Sequence, residues 1–140
     1  MTPTCKIDTT PTCKIGGDGI KRYYNDHGDL HRLDGPAVEH RDGYKEWYRD
    51  GKLHRDDGPA MEDKRGYKSW FQNGIQHRLD GPAIEGWDGY KAWYINGLRH
   101  REDGPAIEDF RGDGQWYRDG VKLDIVGTVK ELISKLKRCV

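Results

Sequence analysis

The sequence predicts an all-β repeat array, in which stacked antiparallel β-hairpins form an elongated twisted ribbon with a short C-terminal amphipathic capping helix. The heptapeptide His-Arg-x-Asp-Gly-Pro-Ala recurs every 23 residues, beginning at His31, His54, His77 and His100. An aromatic pair and an Asn-Gly or Asp-Gly dipeptide precede the later copies, and the pattern becomes helical near the end. A fixed period of this length is typical of repeat proteins.

One unit predicts two short strands. Residues 44–48 are rich in strand-favouring aromatic residues and lead to Asp50-Gly51, which suits a tight hairpin turn. Residues 57–59, Asp-Gly-Pro, predict a bend because proline lacks an amide hydrogen. A second strand follows at residues 60–62, and a second turn near Arg65-Gly66 returns the chain. Two strands per unit give a rise of roughly 10 Å.

Equivalent side chains of neighbouring units are expected to pack in rows. The tryptophan row is the predicted structural core, and an aliphatic row lies beside it. The core row is Trp47, Trp70, Trp93 and Trp116, and the aliphatic row is Val38, Met61, Ile84 and Ile107.

The repeat array is expected over residues 20–123, as about 4.5 repeats, because Tyr23-Tyr24 resembles an earlier copy with His27 inserted. Residues 1–19 form an N-terminal segment that contains the hexapeptide Thr-Pro-Thr-Cys-Lys-Ile twice, at 2–7 and 10–15. This duplication is consistent with a cap made of a strand pair, with a flexible arm or with a cloning artefact.

The C-terminal segment, residues 124–140, predicts the capping helix. Thr128 and Glu131 have the spacing of a helix capping box. Four apolar residues then share one helical face and would cover the end of the array. They are Val129, Leu132, Ile133 and Leu136.

The unit resembles a divergent MORN (membrane occupation and recognition nexus) repeat over about residues 20–123, because that family also combines an aromatic strand, an Asn/Asp-Gly turn and a later His. It departs from the family where Arg55, Arg78 and Arg101 follow the His. The resemblance implies scaffolding, dimerisation and, in some members, attachment to acidic lipid. The heptapeptide also resembles arrays in proteins of bacteriophages and large viruses, which implies interaction with a host protein.

Composition disfavours several partners. Lys and Arg together number 24, as do Asp and Glu, so no net charge draws the chain to nucleic acid or an acidic membrane. No apolar stretch approaches the roughly 20 residues of a membrane span, which predicts a soluble protein. Cys5, Cys13 and Cys139 form no Cys-x-x-Cys pair and follow no secretion signal, which predicts reduced thiols and a cytoplasmic location.

We expect no enzyme, no cofactor and no metal site. The sequence has no catalytic triad signature, no phosphate-binding glycine loop and no Cys-His nucleophile pattern. Equivalent histidines one unit apart would be roughly 10 Å from each other, too far to share an ion with ligand bonds near 2.1 Å. The histidines are instead expected to bond to backbone or Asp.

The repeated arginines and tyrosines are the candidate partner-binding residues, Arg32, Arg55, Arg78, Arg101, Tyr44, Tyr67 and Tyr90. The arginines also have a structural interpretation, as an ion-pair ladder with the Asp two residues later and the Glu seven residues later.

The sequence therefore predicts a non-enzymatic protein-interaction module, a scaffold or inhibitor that could be phage-encoded and form a homodimer. The alternative is a protein that sequesters a small ligand or nucleotide with the repeated arginines.

Overall fold

Every named element that the structure describes is a short β-strand. The computed structural model describes residues 11–124 and 128–129 of the chain. In chain order the strands are β1 (Thr12–Ile15), β2 (Lys21–Tyr24), β3 (Val38–Glu39), β4 (Lys45–Glu46), β5 (Tyr48–Arg49), β6 (Lys52–Leu53), β7 (Met61–Glu62), β8 (Lys68–Ser69), β9 (Phe71–Gln72), β10 (Ile75–Gln76), β11 (Ile84–Glu85), β12 (Lys91–Ala92), β13 (Tyr94–Ile95), β14 (Leu98–Arg99), β15 (Ile107–Glu108), β16 (Gly114–Gln115), β17 (Tyr117–Arg118) and β18 (Val121–Lys122).

Ten strands form one open antiparallel sheet, with the order β1-β2-β3-β4-β7-β8-β11-β12-β15-β16. The other eight strands pair as four small hairpins, β5–β6, β9–β10, β13–β14 and β17–β18. A unit therefore contributes two strands to the large sheet and one separate hairpin, which is four short strands where the sequence predicted two. The predicted array of repeated antiparallel hairpins is confirmed.

The tryptophan of a unit lies where the chain passes from the large sheet into the hairpin. The Trp47 amide donates to the Ala60 carbonyl at 2.8 Å, and the Trp47 carbonyl accepts the His54 amide at 3.0 Å. Ala60 leads into the sheet strand β7, and His54 follows the hairpin strand β6. The same bonds recur at Trp70 and Trp93. This residue thus ties the hairpin to the sheet.

The hairpin turns need two consecutive residues with positive φ. In the β5–β6 hairpin, Asp50 has a φ of 48° and Gly51 a φ of 73°. Two such residues produce the type I′ turn that matches strand twist, and Asn and Asp tolerate this region better than most non-glycine residues. The predicted Asn-Gly and Asp-Gly turns are confirmed. The other three are Asn73-Gly74, Asn96-Gly97 and Asp119-Gly120.

Backbone hydrogen bonds join successive hairpins. The Gly74 amide donates to the Leu53 carbonyl of the preceding hairpin at 2.8 Å. The Arg55 amide instead donates to a residue later in the chain, the Phe71 carbonyl of the following hairpin, at 3.4 Å. Bonds of both kinds recur along the array, so each hairpin is held by its neighbours as well as by its own turn.

Small side chains fill the interior. The alanine that ends each heptapeptide and Ala92 of β12 are 0% exposed, and Val38 is also buried. The four predicted core tryptophans are half-buried, as are the other members of the aliphatic row. The interior is therefore thin, in agreement with the polar composition.

The ends of the array differ in what the structure describes. At the N-terminal end β1 pairs with β2, with Cys13 opposite Tyr23, so residues 12–15 of the duplicated hexapeptide supply an edge strand. The first hexapeptide and most of the predicted capping helix lie outside the described residues, and the helix is not shown. Within residues 11–124 and 128–129, no helix has the length and apolar character needed to cross a membrane.

Candidate functional site

The arginine of each heptapeptide is held within its own unit. Arg55 Nε donates to Asp57 Oδ1 at 2.9 Å, and its Nη1 donates to the Pro59 carbonyl at 3.3 Å. The guanidinium lies over the Trp47 ring, with Cζ 4.1 Å from the ring centroid, which is a cation–π arrangement. The equivalent stacks are Arg32 on Tyr23 at 4.0 Å, Arg78 on Trp70 at 3.8 Å and Arg101 on Trp93 at 3.9 Å.

Each of these arginines also has a second carboxylate partner. Arg78 donates through Nε to Asp80 and through Nη1 to Glu85, both at 2.9 Å. We call one arginine with its stacked ring and two carboxylates a clamp. One guanidinium between two carboxylates leaves a surplus of one negative charge. The equivalent glutamate contacts are Arg32–Glu39 at 2.8 Å, Arg55–Glu62 at 3.9 Å and Arg101–Glu108 at 2.6 Å.

The clamps lead us to expect a loss of stability in acid. The Arg78 guanidinium holds the pKa of Asp80 below its ordinary value of 3.8, mainly through their hydrogen bond. The same cause lowers the pKa of Asp34, Asp57 and Asp103. A carboxyl whose pKa is lower in the folded state stabilises the fold fully above its unfolded pKa, and this contribution disappears as pH falls through the folded value.

We therefore expect the urea midpoint of unfolding to fall as pH drops below about 4. In the variant Asp80→Asn the urea midpoint should fall less between about pH 5 and 3, because the variant lacks one carboxyl whose protonation is coupled to unfolding. A midpoint that stays constant down to about pH 3 would contradict this linkage.

The motif histidines connect each unit to the next. His54 Nδ1 lies 3.1 Å from Asn73 Oδ1 and also 3.1 Å from the Asn73 amide nitrogen. When Nδ1 carries no proton, it accepts the amide proton of this turn residue. These contacts confirm the structural role predicted for the histidines. The equivalent pairs are His31–Asp50, His77–Asn96 and His100–Asp119.

Three equivalent grooves lie between consecutive heptapeptides, and we call them the inter-unit grooves. Their volumes are about 620, 590 and 530 Å³ in chain order. The Arg-x-Asp-Gly-Pro part of one heptapeptide forms one wall of each groove, and the lining also includes the tryptophan and histidine of the next unit. Two successive motif arginines also line each groove. The Pro, Trp and His sets are Pro36, Trp47 and His54, then Pro59, Trp70 and His77, then Pro82, Trp93 and His100.

The repeated tyrosines lie beside the turns of the large sheet. Tyr44, Tyr67 and Tyr90 are half-buried. Burial raises the pKa of Tyr44 well above its ordinary value of 10 and also raises the pKa of Tyr90. The Tyr44 ring meets the His40 ring edge-on, with their centroids 5.2 Å apart. Partner binding by these tyrosines stays a prediction.

A row that sequence reasoning missed lies on these same turns. The turns at residues 40–44, 63–67, 86–90 and 109–113 connect paired strands of the large sheet, and together they form what we call the turn edge. The second residue of successive turns is Arg41, Lys64, Trp87 and Phe110. Trp87 is 68% exposed and Phe110 65% exposed. Repeat-based reasoning overlooked this position because its residue type changes between units.

The turn edge also carries unpaired cations. Among the described residues, no carboxylate forms an ion pair with Lys64, Arg65 or Arg111. The neighbouring Asp63 is instead directed at its own turn, where Oδ1 accepts the amides of Arg65 at 2.8 Å and Tyr67 at 2.9 Å. The turn at residues 63–67 therefore carries two cations against one carboxylate, a net charge of +1.

Comparisons with protein-family models, with curated proteins and with solved structures find no match to this chain. The resemblance to MORN repeats thus rests on the residue pattern alone. What the structure establishes is a repeat protein of antiparallel β-hairpins, with a row of inter-unit grooves and an exposed turn edge.

Proposed function

We propose that this chain is a non-enzymatic protein-interaction module and that it contacts its partner through the turn edge. The observation that carries the proposal is the exposed aromatic pair Trp87 and Phe110 on neighbouring turns. Large exposed aromatic side chains mark interaction surfaces, and tryptophan is enriched among residues that dominate binding energy.

The turns present these rings from a rigid support. A Cβ placed on Gly89 would lie 3.7 Å from Phe110 Cα, so the turn that holds Trp87 is adjacent to the turn that holds Phe110. The Asp88 carboxylate accepts the Tyr90 amide at 3.1 Å, and the Asp109 carboxylate accepts the Arg111 amide at 2.8 Å. Turns fixed in this way lose little conformational freedom on binding.

The cations define the chemistry of the partner. Lys64 and Arg65 precede the aromatic pair by one turn and have no carboxylate partner among the described residues. The matching surface is an apolar cleft for the two rings, with carboxylates on the side that meets Lys64 and Arg65. The motif arginines, which the sequence predicted as partner-binding residues, bond mainly to carboxylates and a carbonyl of their own units.

The anion-sequestering alternative receives less support. Its arginines border the inter-unit grooves, yet each clamp places two carboxylates around one guanidinium. An anion entering the second or third groove would meet three carboxylates and two arginines, whereas the first groove has three charges of each sign.

The test uses the purified chain as an affinity bait in a lysate of its source organism. The variant Trp87→Ser/Phe110→Ser removes the aromatic pair. The matched control Ile75→Ser/Leu98→Ser removes two side chains that are 50% and 49% exposed on the separate hairpins. Both variants should melt like the wild type, since exposed positions contribute little to stability.

We expect the wild type and the control to retain one partner in stoichiometric amount and the turn-edge variant to lose it by at least about tenfold. Equal retention by the two variants would overturn the proposal. So would the absence of any specific partner of the wild type.

A further inference from the structure

The inter-unit grooves repeat at a spacing that matches one kind of peptide conformation. Successive grooves are two sheet strands apart, since each unit adds two strands to the large sheet. Strands are spaced about 4.7–4.9 Å, so the grooves repeat about every 9.4–9.8 Å. A polyproline II helix has three residues per turn and rises about 3.1 Å per residue, or roughly 9.3 Å per turn.

A bound peptide in another regular conformation would not place equivalent side chains in successive grooves. Every third residue of a polyproline II helix lies on the same side, so residues i, i+3 and i+6 would face three successive grooves. An extended β-strand advances by a similar distance in three residues, but residues i and i+3 then point to opposite sides. An α-helix has a pitch of about 5.4 Å and would place its side chains out of register with the grooves.

The lining of the grooves suits proline. The second groove is lined by the half-buried Trp70 together with Pro59 and the exposed Leu79. Grooves lined by aromatic side chains are the usual docking sites of proline-rich segments. The first and third grooves repeat the Trp and Pro pair.

The motif arginines offer hydrogen bonds that such a segment needs. Arg78 bonds to its own unit through Nε and Nη1, and its Nη2 has no partner among the described residues. Arg55 repeats this arrangement in the same groove. A polyproline II backbone makes no internal hydrogen bonds, so its carbonyls are available to accept from donors such as Nη2 of these arginines.

Charge adds a requirement on the ligand. The second groove is lined by Asp56, Asp57 and Asp80 against Arg55 and Arg78, which is three negative and two positive charges. The third groove likewise has three carboxylates and two arginines, whereas the first has three of each. A cationic residue beside the prolines would balance this surplus.

We propose that the three inter-unit grooves bind one proline-rich segment in the polyproline II conformation, with a proline at every third position and a flanking arginine or lysine. This surface is separate from the turn edge, so the inference goes beyond the proposed function.

The test measures binding of two fluorescein-labelled synthetic peptides to the full chain by fluorescence anisotropy. The in-register peptide has the core Pro-Ala-Ala-Pro-Ala-Ala-Pro, and the control peptide separates its prolines by three alanines. Both carry an arginine at each end. We expect the in-register peptide to bind at least about tenfold more tightly, because only its prolines reach successive grooves.

Protein variants locate the binding surface. Leu79→Lys introduces a cation into the second and third grooves at a side chain that is 77% exposed, and it should weaken binding by at least about fivefold. The matched control Ile75→Lys makes the same change outside the grooves and should bind like the wild type. The turn-edge variant Trp87→Ser/Phe110→Ser should also bind normally.

Three results would overturn the inference: no saturable binding, equal affinity for the two peptides, or loss of binding in either control variant but not in Leu79→Lys. Because the turn-edge test uses a different surface, each of these results leaves the proposed function standing.

Discussion

Replacing Trp70 with alanine should lower the free energy of unfolding by roughly 3 kcal/mol, at the low end of the range for large aromatic truncations because the ring is half-buried. The ring supports Arg78, whose Cζ lies 3.8 Å from its centroid. Removing the indole exposes the bend of the heptapeptide and forfeits the cation–π contact, which alone contributes about 0.5–1 kcal/mol.

Trp87 provides the matched control for this prediction. The variant Trp87→Ala makes the same chemical change at a ring that is 68% exposed, and its effect should stay within about 0.5 kcal/mol. Urea unfolding at neutral pH measures both variants. Equal destabilisation by the two substitutions would show that the clamps do not hold the array together.

Enlarging the thin interior should also destabilise the fold. Ala92 is 0% exposed in β12 and pairs with Ile84 and Ile107 of the neighbouring strands. The variant Ala92→Leu adds three carbon atoms at a fully buried position, and we expect the free energy of unfolding to fall by about 1–3 kcal/mol. The urea midpoint should fall without a large change in the slope of the transition.

Lys91, next to Ala92, provides a control in which the same new side chain, leucine, is introduced at an exposed position. Lys91 is exposed on the opposite face of the same strand, so Lys91→Leu should change the free energy of unfolding by less than about 0.5 kcal/mol. If Ala92→Leu is tolerated as well as Lys91→Leu, the interior is not packed as the structure describes.

The repeat made much of the fold predictable. A fixed period indicates equivalent neighbours, and the Asp50-Gly51 type of turn has a strong local preference for positive φ, so the hairpins could be predicted from single residues. The bond from His54 to the Asn73 turn was anticipated only as a contact to backbone or Asp. That the His54 side chain contacts the following unit depends on how the units stack, and no local sequence pattern specifies this stacking.

Other features depended on tertiary contacts. The sequence suggested that indole rings would form one shared layer, whereas the group stacked on Trp47 is the guanidinium of Arg55. The sequence offered both an ion-pair ladder and a partner-binding role for this arginine, because spacing alone does not say where a long side chain points. The structure shows the ion pairs, and partner binding by the arginines stays a prediction.

The candidate site was harder to predict than the fold. Trp87 and Phe110 occupy a turn position that holds Arg41 and Lys64 in other units, so no repeat pattern selects them. Their importance appears only when neighbouring turns are placed side by side. One sequence signal could have identified them: aromatic residues replace the cations of earlier units at this turn position.

The side-by-side order of the units is the claim on which the grooves and the turn edge both depend, and cysteine cross-linking tests it most directly. Lys68 of β8 lies opposite Glu85 of β11, whereas Glu108 of β15 is three strands away from β8. Opposite residues have Cβ atoms about 4.5–5.5 Å apart, while three strand spacings amount to roughly 14 Å. Disulfides require the shorter separation.

The measurement uses a background in which Cys5, Cys13 and Cys139 are replaced by serine, with oxidation followed by mass spectrometry under non-reducing conditions. We predict an intramolecular disulfide in Lys68→Cys/Glu85→Cys and none in Lys68→Cys/Glu108→Cys. Efficient cross-linking of the second pair, or none of the first, would contradict the order of the sheet.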